Sequence, residues 1–186
     1  MNYIKHLSEA WRFMKKSKGY FVFVILFMIF GGVLGWIYSV QLGIIINPFL
    51  KELVASLSGL SGWSLIVFIL QNNLKVAFLG VVLGVIFGIM PIVNAVANGI
   101  VIGYVLKITV EKANLFEIWR IFPHGIFELP AIIIALGLGV KLGFSVFSRK
   151  HFSENFYNSM NVLLYIIVPL LIIAAIIEGS LIYFLG

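Results

Sequence analysis

Residues 20–46 read YFVFVILFMIFGGVLGWIYSVQLGIII, and no charged residue interrupts the chain between Lys18 and Lys51. A helix that crosses a bilayer needs about 20 apolar residues at a rise of about 1.5 Å each. This stretch is long enough to cross. It is too long for the roughly 7–15-residue core of a secretory signal, and no small-residue cleavage pattern follows it, so it is expected to be a retained anchor. Lys5, Arg12, Lys15, Lys16 and Lys18 stand directly before it.

The same reading extends along the chain. After Asn47-Pro48 ends the first run, Phe49, Leu50, Leu53, Val54, Leu57 and Leu60 recur near helical period opposite Lys51, Glu52, Ser56 and Ser58, the pattern of a short interfacial helix. A second span over 64–88 is interrupted by Gln71, Asn72, Asn73 and Lys75. Gly88-Ile-Met-Pro91 reads as a tight turn into a third span, 91–106, short enough that the hairpin is read as either full or re-entrant. Asn114 and Glu117 have capping-box spacing and would start a second interfacial helix carrying Leu115, Phe116, Trp119 and Phe122, which Pro123 should break. A fourth span over 121–147, a polar loop over 148–159 and a fifth span over 161–185 complete the chain. The expected architecture is all-α: a polytopic membrane helical bundle of about five transmembrane helices with short interfacial amphipathic helices, one integral domain over 1–186.

Composition agrees. The chain is 62% hydrophobic and 11% charged, against roughly 45–50% and about 25% for soluble domains. It has no cysteine and no aspartate, which excludes disulfides, thiolate metal sites and cysteine nucleophiles. The formal charge of +6 is read as topology and lipid attraction rather than nucleic-acid binding. With the N-terminus inside, inner segments hold the five leading basic residues plus Arg149 and Lys150. Outer ones hold Lys51, Lys107, Lys112 and Arg120. That balance predicts a multi-pass cell-membrane protein with a cytoplasmic N-terminus and an external C-terminus. Soluble-enzyme motifs are absent, so neither catalysis nor a cofactor is expected. His124 with Glu128 and Glu178 is too thin a donor set to predict a metal.

Two patterns carry the functional expectation. Gly80/Gly84/Gly88, Gly31/Gly35, Gly99/Gly103 and Gly139/Gly143 repeat every four residues, which suits close helix packing within the bundle first and homo-oligomerisation second. The other pattern is polar. Gln41, Asn72, Asn98, Glu128 and Glu178 fall six to nine residues from the outer ends of their spans, roughly 9–14 Å deep, as one layer. Around it stand Asn73, Lys75, Asn94 and His124, with Lys75 the expected counter-ion of a glutamate and the asparagines expected to bond between helices. Asn72, Asn73, Lys75, Asn94, Asn98, His124, Glu128 and Glu178 form the candidate intramembrane site.

The pieces Asn72-Asn73, Asn98-Gly99 with Gly103, Pro123-His-Gly-Ile-Phe-Glu-Leu-Pro130 with Ala131, and Glu178-Gly179 resemble the stage II sporulation protein M family. That resemblance implies about five spans and a membrane location. The family's namesake resembles a scaffold that joins cell-wall hydrolases in an engulfment complex. The expected function is therefore a non-enzymatic scaffold of a membrane or cell-envelope complex. A small transporter, channel or lipid-handling protein with an outer-half polar site is the alternative. The expected partners are the lipid bilayer, membrane or envelope proteins and a second copy of the chain.

Overall fold

The structure is a computed structural model. It describes the chain except residues 1, 58, 61, 113–114, 147–148 and 186, and except the side chains of 2, 54, 57, 112, 115–126, 149–150 and 183–185. Apolar surroundings offer the backbone no hydrogen-bonding partner, and an α-helix satisfies its own groups within one segment. The described chain is accordingly helical: α1 (Asn2–Lys16), α2 (Lys18–Ile37), α3 (Ser39–Leu57), α4 (Trp63–Val82), α5 (Ile89–Lys112), α6 (Leu115–Val146), α7 (Arg149–Val162) and α8 (Val168–Leu185). A 3-10 turn, Leu83–Val85, extends α4, and a π-helical turn, Leu163–Ile167, joins α7 to α8. Among the described residues, five stretches are long and apolar enough to cross a membrane: Lys18–Ile37, Trp63–Val85, Ile89–Glu111, Phe127–Val146 and His151–Ile182. The all-α bundle is the expected one.

Boundaries differ from the expectation where proline or polar composition was read as a stop. The first run changes direction at Tyr38 rather than at Asn47, and α3 continues through Pro48. α5 has 24 residues, longer than the span 91–106: it begins two residues earlier, with Pro91 in its first turn, where no backbone donor is needed, and continues to Lys112. α6 runs unbroken past Pro123 and Pro130. The segment 148–159 belongs mostly to α7, helical despite its polar composition. The capping box at Asn114 lies outside the described residues. The π turn has a local cause. Pro169 supplies no N–H to the carbonyl of Tyr165 and its ring crowds that group, so the turn ahead of it widens.

Glycine sets the packing. On α2, a Cβ at Gly31 or Gly35 would overlap the backbone of Val96 or Ile100 on α5, and one at Gly99 or Gly103 would overlap that of Met28 or Gly32. These pairs advance together, so α2 and α5 are parallel. Gly80, Gly84 and Gly88 meet Leu136, Gly139 and Gly143 in the same sense, making α4 and α6 parallel too. An antiparallel contact joins the two pairs, with Phe21 of α2 against Gly137 of α6, and another adds α8, with Ile66 of α4 against Gly179. Successive long helices therefore alternate in direction. The turn between α4 and α5 places both Phe87 and Gly88 at positive φ, 51° and 71°. Gly88 also meets α6 there, so a side chain would be strained and crowded at once.

α6 is central: its Ala131, Ala135, Leu136, Leu138, Val140 and Leu142 are almost wholly buried, whereas Val22, Leu26, Ile29, Phe30 and Val33 of α2 are exposed, as lipid-facing residues would be. α1 packs on α7 through Leu7, Ala10, Phe13 and Met14, which recur at helical spacing. Tyr165, in the π turn, stacks on His6 at 5.7 Å and meets Tyr3 edge-on at 5.3 Å.

The glycine contacts give a test with opposite signs. Gly103→Ala forces two backbones apart and should lose stability near the upper end of the about 1–3 kcal/mol that overpacking costs. Gly19→Ala has nothing within 4 Å and should gain up to about 1 kcal/mol of helix propensity. Thermal unfolding in detergent measures both. Equal responses would show that these contacts do not hold the bundle.

Candidate functional site

Among the described residues, two sets of polar groups in the apolar helices bear on function. The first is the expected intramembrane set. Gly80 and Leu136 meet on parallel helices, so Asn72 and Glu128, each eight residues earlier, stand at about the same height. Glu178 is level with Val67, beside the Ile66–Gly179 contact, and so about 7–8 Å nearer the Trp63 end. Gln41 is exposed on α3, beyond the end of α2, and takes no part in that layer.

Side-chain directions divide the set. Asn73 is buried on the face of α4 that carries Leu65, Ile69, Ala77 and Gly80, while Asn72 and Lys75 are exposed. On α5, Asn98 Nδ2 donates to Asn94 Oδ1 at 2.5 Å and to the Asn94 carbonyl at 3.0 Å. This pair therefore bonds along one helix, not between helices. Glu128 and Glu178 are half-buried, and both are engaged by neighbours. The side chain of His124 lies outside the described residues.

Lys75 takes a different place from the one expected. Among the described residues it forms no ion pair with either glutamate; the ion pairs there are His6–Glu9 and Lys107–Glu111. It lines a groove of about 430 Å³ between α4 and the α7–α8 junction, whose other walls are Leu74, Phe78, Met160, Leu163, Leu164 and Val168. A single cation thus stands in an otherwise apolar groove.

The second set was not singled out from the sequence. Lys141, on α6 between Gly139 and Gly143, donates from Nζ to Ser17 Oγ at 2.9 Å. Ser17 Oγ in turn donates to the Phe13 carbonyl at 2.8 Å, and Lys141 Nζ sits 3.6 Å from the centroid of the Phe13 ring. Ser17 is fully buried at the junction of α1 and α2. An ammonium carries three donors, so one bond to Ser17 and one approach to an aromatic face leave capacity for another acceptor. Lys141 opens into a cleft of about 390 Å³ where Lys16, His151, Glu154 and Asn155 converge, beside the rings of Phe13, Tyr20 and Phe144. A lysine inside an apolar span was the available signal for this site.

The match of the stage II sporulation protein M family model covers residues 22–181. The chain belongs to that family. No curated protein and no solved structure matches it. The sporulation protein M segment thus includes all five long apolar stretches apart from the ends of two, and membership together with those helices makes this a membrane protein. Asn73, Lys75, Glu128, Lys141 and Glu178 lie inside the family segment, whereas α1 and Ser17 precede it.

The Ser17 relay yields a direct check. Ser17→Ala removes the acceptor of Lys141 and the bond to Phe13, and should cost about 1–2 kcal/mol. Because those bonds tie the α1–α2 junction to α6, hydrogen exchange should speed up in α1 more than in α5. An unchanged exchange pattern would count against the relay.

Proposed function

We propose that this member of the family is a non-enzymatic scaffold of a membrane or cell-envelope complex. It crosses the membrane five times, with its N-terminus cytoplasmic and its C-terminus external. The alternating helix directions suit five successive crossings. The basic residues of α1, with Arg149 and Lys150 at the start of α7, gather at one end of the bundle, as a cytoplasmic face requires.

The observation that carries the scaffold reading is Lys75. It lies 12 residues from Trp63 and 10 from Val85, about 18 and 15 Å along its span. A charge near the middle of a span costs at least about 2.5–3.5 kcal/mol, and the groove around Lys75 offers apolar side chains only. The occupant that relieves this cost is an apolar partner helix carrying a carboxylate, which would fill the groove and neutralise the lysine in one contact. The backbone contacts at the glycines favour a rigid platform over the helix separation that a transporter's alternating access requires.

Lys75→Met should therefore raise the thermal midpoint of the isolated protein while abolishing the partner contact. A photo-crosslinking residue at Phe78, in native membranes, reads that contact. A discrete adduct in the wild type that disappears with Lys75→Met supports the scaffold. An unchanged adduct pattern, with a variant that melts earlier, would show that Lys75 serves the fold. The transport alternative places its ligand among Asn73, Asn98, Glu128 and Glu178. A cation-specific rise in midpoint, lost in Glu128→Gln or Glu178→Gln, would favour it instead.

A further inference from the structure

We propose that the cleft between α1, α6 and α7 binds the phosphate of an anionic phospholipid headgroup, with Lys16 and Lys141 as its cationic ligands. This site lies at the opposite end of the bundle from the asparagine and glutamate layer. It depends on the membrane placement of the helices but not on the scaffold role.

Position comes first. The cleft sits where α2 begins at Lys18, where α6 ends at Val146 and where α7 starts. Lys141 is five residues from the end of α6, about 7–8 Å along the axis, so its side chain reaches the level of headgroups while its stem stays among apolar residues. The opposing walls match an amphiphile. Lys16, Lys141, His151 and Asn155 offer donors, and Phe13, Tyr20 and Phe144 offer rings, with Tyr20 and Phe144 in contact at 6.2 Å between centroids.

Preorganisation comes second. The bond to Ser17 and the Phe13 ring hold the Lys141 ammonium in place, so little side-chain freedom remains to be lost on binding. Around it, α1 presents Lys5, Arg12, Lys15 and Lys16 as exposed cations, with Tyr3, Ile4 and Trp11 exposed as apolar anchors. Such a surface is drawn to anionic lipid. Among the described residues, Glu154 is the one acid lining the cleft. It competes with a phosphate for the two lysines, so it opposes binding.

That opposition makes the proposal testable by sign. The full chain, purified in neutral detergent, is titrated with phosphatidylglycerol, with phosphatidylcholine or with inorganic phosphate, and followed by thermal shift and by native mass spectrometry. Phosphatidylglycerol should raise the midpoint and form adducts at concentrations several-fold below phosphatidylcholine. Lys141→Met should weaken those adducts most. Because its loss also breaks the bond to Ser17, the exposed Lys16→Gln, which should weaken them several-fold without disturbing the fold, keeps the result interpretable. Glu154→Gln should strengthen them. Equal binding of both lipids, or adducts indifferent to Lys16→Gln and Glu154→Gln, would overturn the site. An effect of inorganic phosphate equal to that of phosphatidylglycerol would overturn the lipid assignment in favour of a soluble phosphate.

Discussion

Everything in this bundle hangs on backbones that touch. Lipid tails are as apolar as leucine, so burying leucine between two membrane helices gains little, and association must come from packing and polar contacts. The chain meets that constraint by removing side chains where helices cross. Gly31, Gly35, Gly99 and Gly103 bring α2 against α5, and Gly80, Gly84, Gly139 and Gly143 bring α4 against α6. These glycine motifs are taken up within one chain, so their spacing is accounted for without a second copy. The two parallel pairs then fix the rest: α6 of one pair packs against both α2 and α5 of the other, α8 closes on α4 and α6, and the α1–α7 pair packs across one end.

This division explains which elements were readable in the sequence. Long apolar runs and glycines four apart act through helix geometry alone, and both translate directly into the observed elements. Helix ends do not. Pro48, Pro91 and Pro123 were read as boundaries because proline lacks a donor, yet Pro91 needs none in the first turn, and helices in apolar surroundings tolerate proline better than soluble ones. The polar composition of α7 predicts a loop. Its helix is supported by α1, whose Leu7, Ala10, Phe13 and Met14 cover it. α1 is strongly amphipathic, whereas α7 carries a weaker apolar stripe that becomes legible only against its partner.

The candidate site shows the same limit in side-chain terms. Depth follows from counting residues, and Asn72 and Glu128 are indeed at one height. Facing does not follow from counting. One residue separates Asn73, inside the bundle, from Asn72, outside it. Charge alone makes Lys75 a counter-ion for either acid, but it lines the groove against the α7–α8 junction, eight residues along α4 from the level of Glu178. Asn94 and Asn98, four apart, found each other before any neighbouring helix could reach them.

The two lysines inside spans make the functional argument by contrast. Lys141 and Lys75 carry the same charge in similarly apolar helices, yet the protein treats them differently. For Lys141 the chain supplies a hydroxyl, an aromatic face and a carboxylate across a cleft, and the helix end is close enough for water and headgroups. For Lys75 it supplies a groove of leucine, phenylalanine, methionine and valine. A charge that the fold satisfies can be structural and can still hold a ligand through its remaining donor. A charge that the fold leaves against hydrocarbon carries a cost in the free protein, and it is this cost on which the scaffold proposal rests. In the two proposals made above, that asymmetry assigns the partner helix to α4 and the lipid headgroup to the basic end of the bundle.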